Sequence, residues 1–215
     1  MAQTHLLSGD VRALTLKIAA PSVAAMLASS ACQLFEALVL SARDASLSAA
    51  VGASLALILL EQTVGFTLGM GAGSFVSRCI GQGRREAARR AASTAFFAAL
   101  GLSALLLAAG LLFAAPVLRL LGAPESAVAA GLPYARAVFV SGPPLCGALV
   151  LSSLLRAQGK TWPNMAAALV GSSLGAALLF FLCVRLNLGA YGAGVAMLAR
   201  ETATLAVLLV YALRH

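Results

Sequence analysis

Residues 91–114 read AASTAFFAALGLSALLLAAGLLFA. The stretch carries no charged side chain. At 1.5 Å per residue it makes a helix about 36 Å long, enough to cross a hydrocarbon core about 30 Å thick. Its residues do not alternate between apolar and polar, as a membrane-spanning β-strand would require. Five more runs of this kind surround it, at 14–40, 47–76, 127–155, 165–184 and 191–213, all dominated by Ala, Leu and Gly. The reading is an all-α polytopic membrane protein. Residues 1–215 form a single transmembrane bundle of six helices, with the lipid bilayer as solvent.

Composition excludes the other classes. The chain is 61% hydrophobic and 10% charged, against about 45–50% and about 25% in an ordinary soluble domain. It is too apolar to be disordered, and its 20 Gly and 7 Pro follow no period. The formal charge is +8, but the basic residues fall mostly between the apolar runs. Arg12, Lys17, Arg78, Arg84, Arg85, Arg89, Arg90, Arg156, Lys160 and Arg214 lie on one side, and Arg43, Arg119 and Arg185 on the other. By the positive-inside rule both termini are cytoplasmic, in a multi-pass protein of the plasma membrane. Anionic headgroups, worth about 1 kcal/mol per basic residue, account for the stretch 84–90, so no nucleic-acid partner is expected.

Cys32, Cys79, Cys146 and Cys183 stand singly and form no metal or disulfide pattern. There is no H-E-x-x-H, G-x-S-x-G or Walker loop, and His5 and His215 lie in the tails. The chain is not expected to be an enzyme or to carry a cofactor or metal. Any transport must draw on an ion gradient or be passive.

Charged groups inside a bilayer cost several kcal/mol and face a partner or a watery cavity. Glu36, Glu61, Arg136, Arg200 and Glu201 all fall inside apolar runs. They serve either as ion pairs that lock helices or as a transport site. Adjacent Arg200 and Glu201 project about 100° apart, so they are not expected to satisfy each other. Glu61, at similar depth, is then the partner expected for Arg200. Gln33 lies one turn before Glu36 and can donate to its carboxylate, at a site reached by water from outside. Gly65, Gly69 and Gly73 are spaced by four and, with Gly71, mark close helix packing or a hinge. Pro21, Pro143 and Pro144 are expected to interrupt their helices, as at transporter cavities.

Several ordered motifs add to this. Gln33-Leu34-Phe35-Glu36-Ala37 follows the pattern N-x-V-D-T, and Ala50-Val51-Gly52 precedes Gln62-x-x-Gly65-Phe66-x-x-Gly69-x-Gly71-x-Gly73. Ser77-Arg78-x-x-Gly81-x-Gly83, Leu118-Arg119-Leu120-Leu121-Gly122-Ala123, Tyr134-x-Arg136 with Pro143, and Leu155-Arg156-Ala157-Gln158-Gly159-Lys160-Thr161 follow in order. In these pieces, over about residues 14–213, the chain resembles the multidrug and toxic compound extrusion (MATE) family.

The resemblance implies a secondary active exporter of organic, cationic compounds by proton or sodium antiport, with Glu36 as protonation or cation site. It implies the N-terminal lobe of two, ending at Arg214-His215 where the linker would begin. Function would then need a homodimer or a separate C-lobe chain. Two departures stand out. Gly175 and Leu179 occupy the positions of the family's N-x-x-x-D in helix five, so the cation pair is not intact. Arg200-Glu201 replaces the family's S-Q in helix six. The alternatives are a non-transporting truncated or regulatory membrane subunit, and a lipid-linked sugar flippase of the same superfamily.

Overall fold

The computed structural model describes residues 11–41, 45–122 and 125–214. They form α1 (Val11–Ser41), α2 (Ala45–Gly81), α3 (Arg85–Leu120), α4 (Glu125–Ala157), α5 (Trp162–Leu179) and α6 (Gly189–Arg214), with no strand among the described residues. Among the described residues five helices are long and apolar enough to cross a membrane, and α1 contributes the apolar segment Met26–Val39. Leu34, Phe97, Leu105 and Leu112 project outward, as a bilayer-facing surface requires.

The helices run past the apolar stretches at both ends, because polar and basic residues at the membrane boundary remain good helix formers. Thus α3 opens with the basic turn from Arg85. Gly83 and Gly159 end their helices in the left-handed region, at φ 72° and 75°. The next N–H groups then reach back to the last turn, Arg84 to the Cys79 carbonyl at 2.8 Å and Lys160 to the Leu155 carbonyl at 2.9 Å.

The prolines do not behave as expected. Pro143 and Pro144 lie within α4, and Pro21 within α1, without interrupting either helix. The irregularities are elsewhere. α3 kinks at Phe113 (φ −114°, ψ 15°), three residues before Pro116. α5 continues into a π-helical turn, Phe180–Arg185.

α4 is the central helix, packed on α2, α3 and α6, while α5 lies on α6 and α1 on α5. The glycine stripe makes the α2–α4 contact. A Cβ at Gly65 would come within 2.8 Å of Leu149 Cδ1, and one at Gly69 within 2.9 Å of Ser153 Oγ. Gly73 faces the same helix at looser contact, whereas Gly71 points into open space. At the end away from the termini, Arg119 pairs with Glu125 at 2.6 Å and holds that carboxyl below its usual range.

Candidate functional site

Four helices converge on one guanidinium. From α6, Arg200 Nε donates to Glu201 Oε1 at 2.9 Å. Its Nη1 lies 3.5 Å from Glu36 Oε2 on α1 and 3.8 Å from Cys32 Sγ, one turn before Glu36. From α4, Tyr134 Oη donates to Glu36 Oε1 at 2.8 Å. The Cys32 thiol in turn donates to the Ser172 carbonyl of α5 at 3.7 Å. Glu36, Arg200 and Glu201 are all 7–8% exposed. Two carboxylates thus share one cation, with a phenol supplying a further hydrogen bond.

Small residues on α5 make room for this. A Cβ at Gly175 would stand 3.0 Å from Arg200 Cβ and 3.2 Å from its Cγ and Cδ. A Cβ at Gly171 would stand 3.0 Å from the Arg200 carbonyl and collide with Thr204 Oγ1, which donates to that same carbonyl. Gly175 and Leu179 do face Glu36, with Cys32, Ala196, Met197 and Arg200. The Arg200 side chain lies along the surface that Gly175 leaves free.

Several pairings differ from expectation. Arg200 and Glu201 do satisfy each other: the arginine has enough rotatable bonds for its fork to fold back to a neighbour one residue on. Glu61 is not the partner of Arg200. It is fully buried between α2 and α4, and neither carboxyl oxygen has a hydrogen-bond partner. Its carboxyl rests against Gly142, where a Cβ would collide with it, and Cys146 Sγ donates to its backbone carbonyl at 3.3 Å. Gln33 does not bond Glu36. It is exposed and lines a separate cavity, and Tyr134 takes the donor role assigned to it. Glu36 is buried rather than open to water. Arg136 stands apart, exposed in a groove between α4 and α6 beside Tyr191.

Tyr134, Cys32, Gly171 and Gly175 complete the site. The spacing of Cys32 and Glu36, four apart on one helical face, was a visible signal. Tyr134 belongs to the Tyr134-x-Arg136 motif, which carries no sign of a contact with Glu36.

Next to this cluster lies a cavity of about 330 Å³ between α1, α2, α4, α5 and α6. Arg200, Glu201, Gln33 and Gln62 line it, and Asn164 and Arg156 stand toward the end of the bundle that holds Arg214. A second cavity of about 490 Å³ shares Met26, Phe66 and Arg156 with the first and extends along Gly69, Met70 and Gly73.

The sequence model of the MatE family matches residues 21–181. The chain is similar to the probable multidrug resistance protein YoeA of Bacillus subtilis (strain 168), at 28% identity over 154 residues, or 69% of this chain and 33% of that protein. Its fold is similar to part of a solved multidrug resistance MATE family transporter of the MOP superfamily, described as outward-facing, with a TM-score of 0.88 at 24% identity, over 96% of this chain and 46% of that one. A MOP superfamily transporter from Pyrococcus furiosus, described as having a binding pocket of reverse polarity, matches at the same TM-score, identity and coverage. An inward-facing MATE transporter matches at 0.77 over 85% of this chain and 42% of that one, also at 24% identity. The chain thus spans about a third of the length of the curated relative and under half of the solved transporters. On the match of the family model across three-quarters of its residues, the chain belongs to the MatE family.

Proposed function

We propose that the chain is one lobe of a secondary active exporter. It works with a second lobe, from another copy or a partner chain, and exchanges an organic compound for protons or sodium. The observation that carries this is Glu36 held between Tyr134 and Arg200. Glu36 is the charged link from α1 to α6. A proton on Glu36, or a sodium ion beside it, neutralises the carboxylate and removes its hold on the guanidinium. Arg200 is not left bare, because Glu201 is the nearer partner at 2.9 Å. Loading the carboxylate thereby removes the charged tie of α1 to α6, leaving only the weaker Cys32 contact, without exposing an unpaired buried cation, and this difference between states is what an ion needs to bias a conformational equilibrium.

The test is efflux of a fluorescent substrate from proteoliposomes under an imposed pH or sodium gradient. Glu36→Gln is expected to abolish gradient dependence, and Glu36→Asp to retain part of it. Wild-type export by both variants would remove Glu36 from coupling. A regulatory, non-transporting role has one observation in its favour, the tethered cation already seated on Glu36. It predicts no efflux from any variant.

Orientation is the second element of the reading. The basic asymmetry supports both termini being cytoplasmic. A cysteine at Gln82, exposed beyond α2, is expected to label from inside, and one at Ser46 from outside. The four natural cysteines are buried, so background labelling is expected to be small. The reverse pattern would invert the topology.

A further inference from the structure

Glu61 is a buried carboxyl outside the Glu36–Arg200–Glu201 cluster. It stands near the middle of α2 with no exposed surface, and neither of its carboxyl oxygens has a hydrogen-bond partner. The carboxyl fills the notch left by Gly142 of α4, where a Cβ would collide with it. Its flanks are apolar: Leu57 precedes it by one turn on α2, and Val138 and Cys146 lie one turn to either side of Gly142, all buried. Buried polar side chains are normally satisfied, and an exception calls for an explanation.

The groups around Glu61 decide which form of the carboxyl fits. From α4, the Cys146 thiol donates to the backbone carbonyl of Glu61 at 3.3 Å. From α3, the uncharged hydroxyl of Ser103 approaches that thiol. From α6, Glu201 acts on Glu61 electrostatically, and with the same sign of charge. Among the described residues no basic side chain pairs with Glu61, since Arg200 is already shared between Glu36 and Glu201. An ionised Glu61 would be a bare charge in an enclosed site, facing a cluster that already sets two carboxylates against one guanidinium. A buried charge without a partner is avoided by neutralisation. A bound metal cation would need several oxygen ligands, and the side chains of Leu57, Val138 and Cys146 offer none.

We propose that Glu61 is a proton-binding site of its own, neutral while α2 and α4 are closed on each other, and that release of its proton opens this contact to water. The site lies on the same close contact that Gly65 and Gly69 make with α4. On release, the proton passes from the carboxyl to a water molecule entering between the two helices. The O–H electron pair stays on the carboxylate, which the entering water hydrates. Low pH therefore favours the closed contact and rising pH the hydrated one.

Infrared spectra of the full chain test the proton directly, at neutral pH in a maltoside detergent, which has no carbonyl group of its own. Exposed carboxylates are ionised at that pH and do not absorb as acids. A carboxylic-acid carbonyl band is expected in the wild type, lost in Glu61→Gln and kept in Glu36→Gln. Glutamine has the size of the neutral acid, and thermal unfolding confirms that each variant is folded. Absence of the band from the wild type, or its survival in Glu61→Gln, would overturn the site.

The opening is read at Cys146, which is wholly buried in this contact. Its alkylation is located by mass spectrometry as pH rises from about 6 to about 9, the upper end reached by buried glutamates. The thiol's own ionisation raises labelling in every protein. The wild type is expected to gain at least about ten-fold more than Glu61→Gln, because opening follows the ionised fraction of the carboxyl. An equal gain in both would overturn the link between proton release and opening. Neither measurement involves transport, so both results stand or fall apart from the export reading.

Discussion

Arg200→Met is expected to destabilise the bundle by about 3–5 kcal/mol, the range found when one partner of a buried ion pair is removed. Methionine fills much of the volume beside Gly175, so the loss is electrostatic rather than a cavity effect. The substitution strands two carboxylates, Glu36 and Glu201, each 7–8% exposed, with the Tyr134 hydroxyl, 2.8 Å from Glu36, as the one remaining hydrogen-bond donor among the described residues. Adding Glu36→Gln and Glu201→Gln is expected to recover most of the loss, because neutral amides need no counter-charge. The measurement is denaturant unfolding in mixed micelles for the single and triple variants. A loss under about 1 kcal/mol, the scale of an exposed pair, would mean that solvent or another group carries the charge balance. Failure of the triple variant to recover would mean that Arg200 acts through packing alone.

The fold was legible in the sequence because membrane burial leaves a coarse signal: uninterrupted apolar runs with the charges between them. The helix ends were less legible, since residues such as Arg85 and Arg119 are helical while lying outside the apolar stretch. The breaks were misplaced for a related reason. Proline removes a hydrogen bond wherever it occurs, but whether the axis yields depends on neighbours. Pro143 and Pro144 sit in the central, most enclosed helix, which continues through them, whereas the kink falls near Pro116 and the π turn at the end of α5.

At the site, the buried charges could be found from their cost in lipid, and Gly175 and Leu179 were visible at the positions where the resemblance leads one to expect a polar pair in helix five. The partners could not be found. Helical spacing describes where a side chain leaves the backbone, and a side chain as long as arginine's ends several ångströms from that point. This is how Arg200 reached Glu201 and Glu36 instead of Glu61. Tyr134 meets Glu36 across 98 positions of sequence, a contact set by the α1–α4 arrangement rather than by any local pattern.

Glu61→Met carries the opposite sign from Arg200→Met and is expected to stabilise the bundle by about 1–3 kcal/mol, the penalty of a buried polar group left without partners. Glu61 is fully enclosed, and both carboxyl oxygens lack hydrogen-bond partners. Methionine has similar length and flexibility, so its end can lie in the notch that Gly142 leaves open. The Cys146 thiol bonds the backbone carbonyl of residue 61 rather than its side chain, so that contact survives the substitution. Glu61→Gln is expected to give no such gain, because the amide brings donors and an acceptor into the same unpartnered space. A loss on Glu61→Met would show that the carboxyl is satisfied by a bound water or ion and that α2 and α4 enclose a polar site. A gain would show that Glu61 is kept despite its cost to stability, which is the pattern of a residue retained for function. Efflux by Glu61→Met proteoliposomes would then separate the two roles directly. Stabilisation with export intact assigns no transport duty to the carboxyl, and stabilisation with export lost places a working group at the α2–α4 contact, apart from the Glu36–Arg200 link.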